Sequence, residues 1–198
     1  MNKLAHSQTE FGCSPLTPND IHHLTSLAPN SNKSSSLEAL YQAGIIVAHR
    51  DLDKLLHAYE KGEKFYIYTG RGPSHGSLHI GHLMPFLTAK YLQDMFDAPV
   101  YIQLSTDEKY LRDGLSLEAV EDMAKANAAD IMSLGFNPDK TIIISNFEAI
   151  KQLYPATMNI LRHITVKQMT GAFGVKDGDN SGNYYFPKTC TARPRWRA

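Results

Sequence analysis

"KFYIYTGRGPSHGSLHIGHLMPFLTAKYLQDMF", residues 64–96, changes character twice. It opens on Lys64–Thr69, an aromatic and β-branched run that reads as a strand. It closes on Gly81–Phe96, an amphipathic run that reads as a helix with Pro85 in or near its first turn. Between and at the edges of these elements lie Gly70, Gly72, Gly76 and Gly81, with His75, His79 and His82 at spacings of four and three. A strand that feeds a helix through a glycine-rich loop begins a βαβ unit. In doubly wound sheets the carboxyl edge where such a loop sits is where ligands bind.

The alternation continues outward. "PVYIQL" (99–104) and "KTIIIS" (140–145) read as further strands. Residues 116–135 read as a helix with Ser116 as N-cap, acids early and Gly135 at its end. A helical stretch follows over Glu148–Met169. Upstream, "SLEALYQAG" reads as a short helix capped by Ser36. "RDLDKLLHAYEKG" reads as another, with Asp51 near its start as a cap. Strand, helix, strand, helix, strand implies parallel pairing. The expected fold class is therefore α/β, a Rossmann-like parallel sheet with helices on both faces, of which the sequence holds about half.

Residues 1–36 are rich in Ser, Asn, Thr and Pro and read as a mobile N-terminal extension, with at most a short helix near Asn19–Leu27. Residues 37–187 read as a partial Rossmann-like domain. Residues 188–198 read as an atypical basic tail carrying Lys188, Arg193, Arg195 and Arg197. The formal net charge is zero, so global charge argues neither for nor against nucleic acid. Two cysteines far apart and outside any CxxC speak against a disulfide framework or a cysteine zinc site. No apolar run is long enough to cross a membrane, and the N-terminus lacks a secretory pattern, so the expectation is a cytoplasmic protein.

The loop can be read in two ways. As a phosphate cradle, it presents the free N–H groups and positive end of a helix. His79 and His82 stand on one face of the first turn, and Arg71 adds a permanent charge. Gly70, Gly72 and Gly81 let a ligand approach the backbone. As a zinc site, His75, His79 and His82 would supply three ligands. His75 precedes the helix, however, and no fourth ligand lies nearby, so no metal site is assigned. A Walker P-loop is excluded, since GxxxxGK[ST] does not occur.

"HIGH" at 79–82, after a strand and opening a helix, resembles the first signature of class I aminoacyl-tRNA synthetases. "YTGRGPS", "LHIGHLMPF", "IQLSTDEKYL", "GFNPDKTIIISN" and "GAFGVKDGDNSGNYYFP" are similar to the eukaryotic and archaeal tryptophanyl type of that class, over about Gly44–Pro187. The resemblance implies ATP-dependent activation of tryptophan to its adenylate, then transfer to tRNA(Trp). It implies that Gly70, Arg71, Gly72, His79, Gly81 and His82 bind ATP, with His79 and His82 catalytic and Mg2+ bridging phosphates. It implies that Tyr68 and Gln103 bind the indole nitrogen and Glu108 the ammonium group, and that the family works as a homodimer. Without the resemblance, Tyr68 and Gln103 read first as a satisfied strand-end hydrogen bond, and Glu108 as a solvated acid at a helix start. The family's lysine signature loop and anticodon-binding domain are not found in this sequence. Two other readings therefore stand beside it: a non-catalytic form that binds ATP, tryptophan or a full-length partner, and another nucleotidyltransferase with an HxGH signature.

Overall fold

The structure is a computed structural model, and it describes residues 12–176 and 178–185. The basic tail expected over 188–198, and the first eleven residues of the expected extension, lie outside the described residues. The described chain divides into two compact units. One comprises the residues up to Ile67 together with Met84–Val100, and the other comprises Tyr68–Leu83 together with the residues from Tyr101 onward.

The first unit begins with β1 (Ser14–Pro15) and α1 (Pro18–Leu27). Thr17 caps α1: its side chain accepts from the Asp20 N–H, and the Asp20 carboxylate accepts from the Thr17 N–H at 2.8 Å. The Thr17 hydroxyl also donates to Asp20 Oδ2 at 2.6 Å, and that bond, with the one from the Thr17 N–H, holds the Asp20 carboxyl below its ordinary range. α2 (Ser35–Gln42), β2 (Ala48–His49) and α3 (Leu52–Glu60) follow, and β2 pairs antiparallel with β1. Ile21 and Leu24 of α1 are buried, as are Leu37, Leu40 and Leu56. The short helix expected near Asn19–Leu27 is α1, whose few apolar side chains recur at helical spacing despite a polar average composition.

Two local details also differ from expectation. Ser34, not Ser36, occupies the N-cap of α2. Asp51 stands at the N-cap of α3 in the left-handed region (φ 59°) without a side-chain capping bond, and Nδ1 of His49 accepts the Leu52 N–H instead. Later in the chain, Phe96 meets Tyr59 and Phe65 edge to face, with ring centroids 5.3 and 5.1 Å away.

The second unit carries the sheet, formed by β3 (Ile67–Arg71), β4 (Val100–Leu104) and β5 (Thr141–Ser145) in the order β3-β4-β5. It is a parallel sheet with helices around it, the Rossmann-like arrangement expected from the alternation. β4 lies in the middle and is buried along its whole length, as a strand covered on both faces must be. β3 runs further toward its carboxyl end than expected, to Arg71, whose carbonyl accepts from the Ser105 N–H at 3.0 Å. Gly70 permits that extension, because a Cβ there would overlap the Gln103 backbone carbonyl.

α4 (Ile80–Phe96) follows the loop. Pro85 lies inside this helix, just past its first turn, and has no N–H to donate to the Gly81 carbonyl. The division between the units falls next to it, after Leu83. α5 (Thr106–Asp113) starts directly after β4 and ends on Gly114 in the left-handed region (φ 66°). α6 (Leu117–Met132) has the expected Ser116 cap, whose side chain accepts from the Ala119 N–H.

After β5, the single helical stretch expected over Glu148–Met169 is two helices, α7 (Ile150–Leu161) and α8 (Val166–Phe173). The break has a local cause. Thr165 and Gln168 form a capping box, and that reciprocal pair of bonds starts a new helix. Ile144 of β5 packs with Ala149 and Leu153, and Ala156 and Ile160 of α7 cover them.

Candidate active site

Every residue assigned a role in the sequence belongs to the second unit. Tyr68 of β3 donates its phenol proton to Oε1 of Gln103 on β4, so strand pairing brings these two residues together. Gln103 is 2 % exposed, and its Nε2 donates to Oδ1 of Asn146 at 2.6 Å. Asn146 is 1 % exposed, and its Nδ2 donates to Oδ1 of Asp107 at 2.6 Å. The same carboxylate oxygen accepts the Glu108 N–H at 3.0 Å. Four side chains from β3, β4, the start of α5 and the residue after β5 therefore form one hydrogen-bonded chain at the carboxyl edge of the sheet, buried from Gln103 to Asp107 and half-buried at Tyr68.

The sequence reading missed Asn146 and Asp107. Asn146 follows directly on "IIIS" at the end of a strand, the position at which Tyr68 and Gln103 were noticed, and that was the available signal. Beside the chain, Thr106 and Ser145 share a buried hydroxyl contact at 3.1 Å, and Thr106 Oγ1 accepts the Phe147 N–H. Burial, and then the charge of Asp107, pushes the Tyr185 phenol up.

Glu108 sits in the first turn of α5. Its Oε2 accepts from the Ser105 hydroxyl at 2.9 Å, and its Oε1 accepts from Arg112 at 3.0 Å. The Arg112 partner went unforeseen, although the i, i+4 spacing of a carboxylate and an arginine is itself a signal.

The loop after β3 is held by α6. Asn127, fully buried, accepts the Ser74 N–H with Oδ1 and donates to the Ser74 carbonyl with Nδ2, both at 3.0 Å. One turn later, Asp130 Oδ2 accepts the Leu78 N–H at 3.0 Å. Asn127 was legible as the one polar member of the stripe Val120, Met123, Ala124, Asn127, Ile131 that α6 buries. Arg71 lies along the loop, donating to the Gly72 carbonyl and to the Ser74 hydroxyl. Its partial burial pushes its pKa down, and at neutral pH the guanidinium keeps its charge.

His79 ends the loop and His82 sits in the first turn of α4. Their rings stack with centroids 3.5 Å apart at 28°. Gly81 makes room for that stack, since a Cβ there would lie 3.3 Å from the His79 ring. Nδ1 of His82 is buried and has no hydrogen-bond partner among the described residues. Desolvation, followed by the Arg71 and His79 charges, pushes the His82 pKa down. A polar ring atom at a helix N-terminus is chemically suited to pair with an anionic group. His75 stays in the loop as expected. Among the described residues no group of three or more His, Cys, Asp or Glu side chains is placed to hold a metal ion. His75 instead helps line an open groove of about 530 Å³ between loop residues Ser74–Ser77 and α6, away from the chain that joins Tyr68 to Asp107.

The profile of the tRNA synthetases class I (W and Y) matches residues 60–182. The chain belongs to that family. Among relatives of this class I synthetase, the cytoplasmic tryptophan–tRNA ligase of Dictyostelium discoideum is 46% identical over 144 residues, which are 73% of this chain and 36% of the relative. The tryptophan–tRNA ligase of Saccharolobus solfataricus is 40% identical over 157 residues, 79% of this chain and 41% of the relative. The crystal structure of a tryptophanyl-tRNA synthetase from Encephalitozoon cuniculi bound to tryptophan superimposes with a TM-score of 0.84 at 35% identity, covering 92% of this chain and 49% of that one. The chain thus spans between about a third and a half of the length of the relatives it matches. The likeness in sequence reaches both eukaryotic and archaeal members of this synthetase family. Among the described residues no helix is long and apolar enough to cross a membrane.

Proposed function

We propose that the chain carries the amino-acid-activating part of a tryptophan–tRNA ligase. The single observation that supports this best is the hydrogen bond from half-buried Tyr68 to buried Gln103 at the carboxyl edge of the sheet, in the same unit as the stacked His79 and His82. An indole is a large apolar body with one N–H donor, and a selective pocket needs an acceptor held in a buried wall. Leaving such buried acceptors unpaired costs about 1–3 kcal/mol each, which disfavours phenylalanine. Glu108 meets the ammonium group of the amino acid, exchanging part of its interaction with Arg112.

In the first step a tryptophan carboxylate oxygen attacks the α-phosphorus of ATP. The bond to the bridging oxygen breaks, and pyrophosphate leaves. In the second step a terminal ribose hydroxyl of tRNA(Trp) attacks the activated carbonyl, and AMP leaves. The chain's residues position the reactants and stabilise charge rather than form covalent bonds. His79, His82 and Arg71 hold phosphate oxygens. Gly70, Gly72 and Gly81 keep that part of the backbone approachable. When bound with ATP, Mg2+ would neutralise charge on the phosphates that His79, His82 and Arg71 hold. We further propose that the protein works as a homodimer in the cytoplasm, as the resemblance implies.

Tryptophan-dependent ATP–pyrophosphate exchange tests this reading. His79→Ala or His82→Ala is expected to lower exchange by about 10²–10³-fold, the effect of removing one preorganised donor to developing charge. Exchange unchanged by either substitution would contradict the proposal. Tight tryptophan binding with no exchange in the unsubstituted chain would favour the binding-only reading.

A further inference from the structure

We propose that Ser74 is a positioning residue for Arg71: its hydroxyl, anchored to α6 through Asn127, commits one edge of the guanidinium to the loop and turns the other edge to a phosphate of ATP. This rests on the reading of Arg71 as a phosphate-binding side chain. A guanidinium is planar and carries its N–H donors in a rigid fork. Nε and Nη2 form a side edge, and Nη1 and Nη2 form an end edge. Nε donates to the Gly72 carbonyl at 3.0 Å, and Nη2 donates to the Ser74 hydroxyl at 2.9 Å. The loop therefore holds the side edge. The end edge, with both hydrogens of Nη1 and the second of Nη2, is the one left to meet a ligand. Parallel N–H groups on one such edge match two oxygens of a phosphate.

Ser74 can serve as a fixed acceptor because its backbone is held from another element. Asn127 on α6 accepts the Ser74 N–H and donates to the Ser74 carbonyl, both at 3.0 Å, from a fully buried position. A bond on each side of its Cα fixes where the Ser74 hydroxyl stands. Further along, Asp130 accepts the Leu78 N–H at 3.0 Å, so α6 ties the loop at two points. An arginine already held by its own loop gives up less rotamer freedom when it meets a ligand. After desolvation, the Arg71 charge is the largest influence that pushes the His82 pKa down. Arg71 and His82 are thus near enough to act on one anion, and Ser74 acts on that anion only through Arg71.

The test is a double-mutant cycle read by calorimetric titration of the full 198-residue chain with ATP and, separately, with tryptophan. Ser74→Ala removes the hydroxyl and leaves both backbone bonds to Asn127 possible. It is expected to weaken ATP by about 3–10-fold, the effect of one hydrogen bond, and to change tryptophan by less than about twofold. Arg71→Met removes the donors and keeps an apolar stem. In that background Ser74→Ala is expected to have no further effect on ATP. A substitution that merely loosened the loop would weaken ATP by the same factor with or without the guanidinium. That additive result overturns the proposal, and so does ATP affinity unchanged in Ser74→Ala.

A second measurement needs no ligand. Rotation about the Arg71 Nε–Cζ bond, read from the line shapes of its side-chain nitrogen signals by NMR, is expected to be slower than that of the exposed Arg162. It is expected to quicken in Ser74→Ala, which frees Nη2. Rotation unchanged by Ser74→Ala overturns the proposal. If the unsubstituted chain binds no ATP, the phosphate reading of Arg71 fails, while the rotation rate still decides whether Ser74 holds the guanidinium.

Discussion

Gly70 of β3 approaches Gln103 of β4 so closely that a Cβ on the glycine would overlap the Gln103 backbone carbonyl. This contact belongs to the strands themselves, and it sets where Gln103 stands. Gly70→Ala is therefore expected to destabilise the protein by about 1–3 kcal/mol, the usual range for forced overpacking. A urea unfolding midpoint that does not change would show that the strands part without cost.

Asn127 holds both backbone groups of Ser74 from a fully buried position on α6. Asn127→Ala leaves the Ser74 N–H and carbonyl without these partners, at an expected cost of about 1–3 kcal/mol. Amide hydrogen exchange at Ser74 should accelerate more than at the β4 amides. Equal acceleration everywhere would mean that α6 supports the fold and does not specifically hold the loop.

His82 is expected to titrate below the ordinary 6.5, because desolvation and the neighbouring positive charges oppose its protonation. The sign for stability follows. With the folded value depressed, stability present above about pH 6.5 is lost as pH falls through the folded value. An anion bound at the ring favours the charged form, so ATP should raise the midpoint observed by NMR for the His82 ring protons. A midpoint that ATP leaves in place would remove His82 from the phosphate site.

Leu153 lies at the centre of the cluster formed with Ile144 and Ala149, and none of its surface is exposed. Leu153→Ala should cost about 2–5 kcal/mol through lost burial and a residual cavity. Chemical denaturation measures it directly. A loss below 1 kcal/mol would mean that Ala156 and Ile160 close the gap.

The sheet was legible because its information is local. The apolar strands 99–104 and 140–145 and the helices between them repeat at periods that neighbouring residues alone specify. The pairing of Tyr68 with Gln103 followed from their strand-end positions. The Asp107–Asn146 continuation was harder to see, because Asn146 is distant in sequence and its polarity has meaning only once β5 lies beside β4. The glycines were read as room for a ligand. At Gly70 and Gly81 the neighbours that would meet a Cβ are the Gln103 backbone and the His79 ring, both contributed by the protein. The helix boundary at Thr165 was missed because a capping box competes with an apolar pattern that runs through it.

The Tyr68–Gln103 pair, as proposed, selects an indole N–H. Calorimetric titration of the chain with tryptophan, phenylalanine and tyrosine, repeated on Gln103→Leu, tests it most directly. Tryptophan alone is expected to bind measurably, and Gln103→Leu to weaken it by about 10-fold or more. Equal binding of tryptophan and phenylalanine, or tryptophan binding unaffected in Gln103→Leu, would contradict it.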